Sequence, residues 1–359
     1  MMTHFLRDIL RQPNELRRTI DFLLGAGRPT LDAATTAIRS ARHVYLTGIG
    51  SSWHAVLTAG PLFHLGARPV YMQDAAELLQ FATIPPDSAM IVISRSGRSV
   101  EIVNLLTKVR NSGVTVIGIT NSNDGPLAKE AQLSIVVPIE MDHAISVNTY
   151  STLAATAGIL ASAVVGSWNA TLATSLSRVV ERTASAIPVW QAQIADTPWL
   201  APGAVFYFLA RGSSLGSCQE ARLLWEEGLK SPATAMGTSS FRHGPQEMVN
   251  KDARFGMWID GERVRGQDLA VARDLRQLGA SVMLIGRDLP QDAGNLVFQL
   301  PAVPPDWQYL IDIIPAQLAA ERLAQLSGVD CDSFRYSSFI VEDEYGLLRE
   351  EAGAPKDEK

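Results

Sequence analysis

The sequence predicts an α/β chain of two tandem, doubly wound domains, each a mostly parallel sheet flanked by helices. Its apolar strands are continuous rather than alternating, and they are separated by segments of helical period, the pattern of parallel sheets covered on both faces. A strand that breaks into glycine and serine occurs twice, at Val44–Ser52 and again at Phe206–Ser214. Finally, 359 residues with 47% apolar and 19% charged content suffice for two well-filled cores.

Residues Leu6–Arg39 form a helical lead-in, expected as two amphipathic pieces punctuated by Pro13-Asn14. The first domain then alternates: strand Arg42–Thr47, helix His54–Leu65 stopped by Gly66, short strand Pro69–Met72, short helix Ala75–Gln80 and strand Ala89–Ser94. In the helix Val100–Arg110, Val100, Val103, Leu106 and Val109 recur at helical spacing before Gly113. Strands Val114–Thr120 and Leu133–Val137 follow. A helical stretch from Val147 to Gln193, broken near Gly166, leads into the second domain. There the expected order is strand Val205–Ala210, helix Leu215–Gly228, strand Phe255–Ile259, helix Asp268–Leu278, strands Ser281–Ile285 and Leu296–Leu300, and helix Trp307–Leu326. The domains are drawn at residues 36–180 and 181–345, after a lead-in at 1–35 and before a charged tail at 346–359 that frays beyond Gly353.

The formal charge of −6 with scattered basic residues gives no expectation of nucleic-acid binding. Cys218 and Cys331 are too few for a disulfide scaffold or a cysteine zinc site, and the histidines lack metal-ligand spacing, so neither metal nor cofactor is expected. Arg7, Asp8, Arg11 and Glu15 interrupt any signal-peptide pattern, and Leu153–Val165 is too short to span a bilayer. These features imply a cytoplasmic protein without a membrane partner.

Chemistry concentrates in the loops. Ser94-Arg95-Ser96-Gly97-Arg98-Ser99 leaves a strand and enters a helix, where hydroxyls and free amides can close on an anionic oxygen. The bland alternative is a simple N-cap, which one serine would favour; Ser94, Ser96 and Ser99 with Gly97 and two arginines favour an anion site. The loop Gly48–Ser52 would complete the cradle from the same sheet edge; it has neither dinucleotide nor P-loop spacing. Further along, Glu220, Glu226 and Glu227 share a helix, and Phe241-Arg242-His243-Gly244-Pro245 forms a turn. A Glu beside a sugar's carbons can move a proton, and a His can assist ring opening. From spacing alone, a solvated helix face and a structural turn histidine are the favoured explanations.

Together, Gly50-Ser51-Ser52, Ser94-Arg95-Ser96-Gly97, Glu220, Glu227 and Arg242-His243-Gly244-Pro245 resemble the tandem sugar isomerase (SIS) domain family of phosphosugar isomerases and deaminases. The pattern is similar to that of the isomerase half of glutamine–fructose-6-phosphate aminotransferase, and the resemblance extends to the lead-in Gln12–Arg17. The nucleophilic Cys of a glutaminase half does not follow Met1, so that half is expected to be missing. The resemblance implies a substrate and phosphate site made by Gly50, Ser51, Ser52, Ser94, Arg95, Ser96 and Ser99, with Arg95 where the aminotransferase has Gln. It implies Glu227 as the proton carrier between C1 and C2, His243 as the ring-opening residue supplied across a homodimer, and Glu220 and Arg335 in support. Two lysines of that family are missing: Leu224 stands at the position of one, the other falls at or near Phe339, and only Lys230 lies near the site in sequence. The resulting expectation is an aldose–ketose isomerase or an amino-sugar-phosphate deaminase or deglycase working through an enediol or enamine. The alternative is a non-catalytic phosphosugar sensor.

Overall fold

The computed structural model describes residues 2–336, 339–344 and 346. The chain opens with α1 (His4–Leu24) and α2 (Arg28–Ser40). The first half continues with β1 (His43–Thr47), α3 (Ser51–Leu65), β2 (Tyr71–Met72), α4 (Ala75–Phe81), β3 (Ser88–Ile93), α5 (Val100–Val109), β4 (Thr115–Thr120), α6 (Pro126–Glu130) and β5 (Leu133–Val136). Then come α7 (Asn148–Val165) and α8 (Ala170–Ala195). The second half contains β6 (Val205–Ala210), α9 (Ser214–Gly228), β7 (Ala233–Gly237), α10 (Thr238–Phe241), β8 (Ala253–Trp258), α11 (Arg265–Gln277), β9 (Ser281–Gly286), β10 (Leu296–Gln299) and α12 (Ile314–Ser327).

Both sheets have five strands, all paired parallel, in the orders β2-β1-β3-β4-β5 and β7-β6-β8-β9-β10. Numbered within each half, both orders are 2-1-3-4-5, so the recurrence of the loop reflects a recurrence of topology. Successive side chains of a strand face opposite ways, and the sheets use both faces. Ala89, Ile91 and Ile93 of β3 join a large central core, whereas Met90 and Val92 join a smaller cluster under α4 and α5. Phe206 and Phe208 of β6 enter the same central core, and Leu209 packs the other way. The two sheets thus share one core. The nearly wholly buried α7 runs through it, and α3 packs against both α7 and α9.

Several local expectations need correction. Pro13 does not divide the lead-in: α1 runs through it, and the break falls at Gly25–Gly27. A proline removes the amide that would serve the carbonyl four residues back, and that carbonyl, Ile9, accepts instead from Gln12 Nε2 at 3.4 Å. The last helix begins at Ile314 rather than Trp307, because Gln308–Leu310 forms a 3₁₀ turn and Pro315 favours the first helical turn. Strand β7 was missed, since Ala-Thr-Ala-Met-Gly carries little β-branched signal; α6 and α10 were missed as single turns. The expected β2 shrinks to Tyr71–Met72. The fraying expected beyond Gly353 lies outside the described residues. Among those residues, no helix is long and apolar enough to cross a membrane.

Candidate functional site

In an open parallel sheet, ligands bind beyond the carboxyl ends of the strands where the strand order reverses. In the first sheet that point lies between β1 and β3. The loops leaving these strands, Gly48–Gly50 and Ser94–Ser99, flank a cavity of about 220 Å³. Gly50, Ser51, Ser52, Ser94, Arg95, Ser96 and Ser99 all line it, and so does Glu227 from the other half of the chain. Gly97 holds the second loop at φ +65°, and a Cβ there would come within 2.8 Å of the Leu127 Cβ. The loop therefore needs glycine for both its backbone and its packing.

The serines are not spent on closing the helix. Ser99 occupies the N-cap position of α5 and its side chain makes no capping bond. Ser94 Oγ accepts from the Gly97 amide at 3.1 Å, and Ser96 Oγ accepts from the Arg98 amide at 3.2 Å. Both contacts use lone pairs and leave each hydroxyl hydrogen for a ligand. Ser51 is different. Its hydroxyl donates to Glu220 Oε1, so its free lone pairs make it an acceptor toward the cavity. Arg95 donates to the Ala144 carbonyl and Ser146 Oγ at 3.3 Å each, and to the Phe339 carbonyl at 2.7 Å. Its burial lowers its pKa, opposed by the negative charges of Asp142, Glu227 and Glu220.

The carboxylates sit on α9, a helix that begins at one sheet and ends at the other's cavity. Glu220 and Glu227 are seven residues, two turns, apart on one face, whereas Glu226 turns outward to pair with Arg222 at 2.6 Å. That fixes the helix phase. Burial, reinforced by Glu220, pushes the Glu227 carboxyl from 4.5 up to about 7, with Arg95 and Lys230 pulling the other way. Glu220 is buried behind the cavity wall, where Oε2 meets His54 Nδ1 at 2.6 Å, and His54 itself is buried.

Other expected residues fall elsewhere. His243 is exposed on the turn after α10 and does not line this cavity, and Arg335 is exposed outside it. Lys230, with its pKa lowered by burial, points its ammonium at the carbonyls of Glu227 and Ser333, the latter at 2.6 Å, and closes the end of α9. Leu224 is core, and Phe339 lies against Phe334 with ring centroids 5.5 Å apart. Sequence reasoning missed His54, Glu101, Ser146 and the segment Phe339–Val341, which lines the cavity and places the Val341 carbonyl 3.0 Å from the Val100 amide. Glu101 was in reach, only two residues beyond Ser99. His54 was set aside for lacking metal-ligand spacing, and its carboxylate partner lies 166 residues away.

The serine-lined crevice at the switch point is thus backed by carboxylates from a second sheet of the same topology. Residues 37–165 match the SIS domain. The chain is 24% identical over 353 residues to the glutamine–fructose-6-phosphate aminotransferase of Lactiplantibacillus plantarum, covering 92% of this chain and 57% of that protein. The chain thus spans little more than half the length of this relative. A glucosamine-6-phosphate deaminase from Thermotoga maritima superposes with a TM-score of 0.79 at 22% identity, over 94% of this chain and 99% of that one. A tagatose-6-phosphate ketose/aldose isomerase from Escherichia coli does so with a TM-score of 0.80 at 19% identity, over 92% and 94%. These likenesses establish the fold.

Proposed function

We propose that the protein is a sugar-phosphate enzyme that moves a proton between C1 and C2, as an aldose–ketose isomerase or an amino-sugar-phosphate deaminase or deglycase. The observation that carries this reading is Glu227, a carboxyl with its pKa near 7, lining the cavity that the serine loops line. A base poised near the working pH takes and returns a proton with little penalty in either direction. Ser96 and Ser99, with the start of α5, would hold the phosphate. Ser51 would accept from a sugar hydroxyl. Glu227 would take the proton from one carbon, leaving an enediol or enamine, and return it to the neighbouring carbon.

His243 would complete this machinery from a second copy of the chain, since in its own chain it is exposed and outside the cavity. Schiff-base chemistry of the aminotransferase kind has little support: Leu224 replaces one of the lysines, the other falls at or near Phe339, and Lys230 is turned to backbone carbonyls. The same loss is what favours the sensor alternative. Incubation with a panel of hexose and amino-hexose 6-phosphates, followed by product analysis and an ammonia assay, tests the proposal. Conversion of at least one compound is expected. Thermal stabilisation by a sugar phosphate with no product from any would overturn catalysis and establish a sensor.

A further inference from the structure

The second sheet repeats the first, and so does its switch point, between β6 and β8. The loops leaving those strands, Arg211–Ser213 and Asp260–Val264, face a separate cavity of about 360 Å³. Its position matches that of the first crevice strand for strand, yet no residue is common to the two linings.

The lining has a definite chemistry. Three guanidinium groups, Arg211, Arg263 and Arg287, stand around the cavity with three carboxylates, Asp260, Glu262 and Asp306. Arg211 is braced by the buried Asp268 at 2.7 Å, Arg263 by Asp306, and Arg287 by Glu262 at 3.4 Å. Each guanidinium carries five N–H donors in a planar fork, so one carboxylate does not exhaust it. Pro304, Pro305 and Leu65 supply an apolar wall. A further parallel concerns the loop serines: as Ser51 is tied to buried Glu220, Ser214 donates to buried Asp312 at 2.6 Å. Arginines suit an anionic group, carboxylates suit hydroxyl donors, and the apolar wall suits the carbon face of a sugar.

We infer that this second switch point is a second binding site, taking a polyhydroxylated organic anion of the sugar-phosphate type. The inference does not depend on the first crevice being catalytic.

The test counts sites. Isothermal titration of the full chain uses glucitol 6-phosphate, a polyhydroxylated phosphate without the carbonyl that turnover requires. The parent is expected to bind two equivalents per chain. Ser96→Ala/Ser99→Ala should weaken one by tenfold or more, and Arg263→Ala/Arg287→Ala should weaken the other by as much. Leu65→Glu, at a surface-exposed edge of the wall, gives a second route: it adds a negative charge without removing any ion pair, and should weaken the same equivalent. One equivalent lost only with the serines would overturn the inference and leave the first crevice intact as a phosphosugar site. One equivalent lost only with the arginines or Leu65→Glu would support the inference and count against the first crevice. No binding at millimolar concentration would overturn both.

Discussion

Replacing Glu227 with Gln keeps the side chain's size and removes its ionisation, which makes two separate readouts available. The first is activity. With its pKa at about 7, Glu227 is about half ionised at pH 7 and about one hundredth ionised at pH 5. The kcat/KM of the parent should therefore fall roughly fiftyfold between those values, while Glu227→Gln loses about a hundredfold or more at pH 7 and shows no such ionisation. The second is stability. Between pH 4.5 and 7 the folded protein keeps a proton that the unfolded chain has released, so stability falls as pH rises through this window and is level outside it. The span is 7 − 4.5, about 2.5 pH units, which at 1.36 kcal/mol each sets a ceiling of about 3 kcal/mol. The cavity admits some water to the carboxylate, and screening reduces the expected effect to about 1–2 kcal/mol. Urea denaturation at pH 5 and pH 8 measures it: Glu227→Gln should gain on the parent by that amount at pH 8 relative to pH 5. Arg95→Gln should move the activity midpoint upward, because the arginine's charge helps Glu227 ionise. A stability difference that ignores pH, together with an unshifted activity profile in Arg95→Gln, would refute the reasoning.

Three further outcomes are expected. Ser96→Ala and Ser99→Ala should each weaken phosphosugar binding by roughly 1–2 kcal/mol in titration calorimetry with the fold intact, and equal affinity of the parent for unphosphorylated sugar would contradict the phosphate assignment. His54→Phe leaves Glu220 buried with Ser51 as its remaining side-chain partner, so thermal unfolding should show a loss of about 3 kcal/mol, largely restored by adding Glu220→Gln. Finally, if His243 serves the neighbouring copy, co-expressed Glu227→Gln and His243→Ala chains should recover about a quarter of parent activity, because about half of the dimers are mixed and each mixed dimer holds one intact site. Inactive, demonstrably mixed dimers would place both residues in one chain's site.

Much of this molecule was legible because its signals are local. A strand that ends in Gly50-Ser51-Ser52, or Ser94–Ser99 poised before a helix, announces its position whatever the rest of the chain does, and seven of these nine residues line one cavity. Helical geometry likewise makes the adjacent Glu226 and Glu227 point differently, though it does not say which one turns inward. That depended on Arg222, one turn back, drawing Glu226 outward. What could not be read was long-range. The His54–Glu220 contact and the approach of Phe339–Val341 to the Ser94–Ser99 loop join segments more than 160 residues apart. Pro13 misled for the opposite reason: a strong local rule was met by a local substitute, the amide of Gln12.

Two halves of like topology need not be independent units, and helix α9 ties these two together. Its first turn borders the second cavity at Ser214, its last turn carries Glu227 into the first, and within that first turn a Cβ at Gly216 would lie 2.4 Å from the His54 carbonyl. Neither half can be excised without taking a working part of the other, and even one added methyl group at the crossing would prise them apart. The two halves repeat one topology, yet the helix they share makes them one inseparable unit.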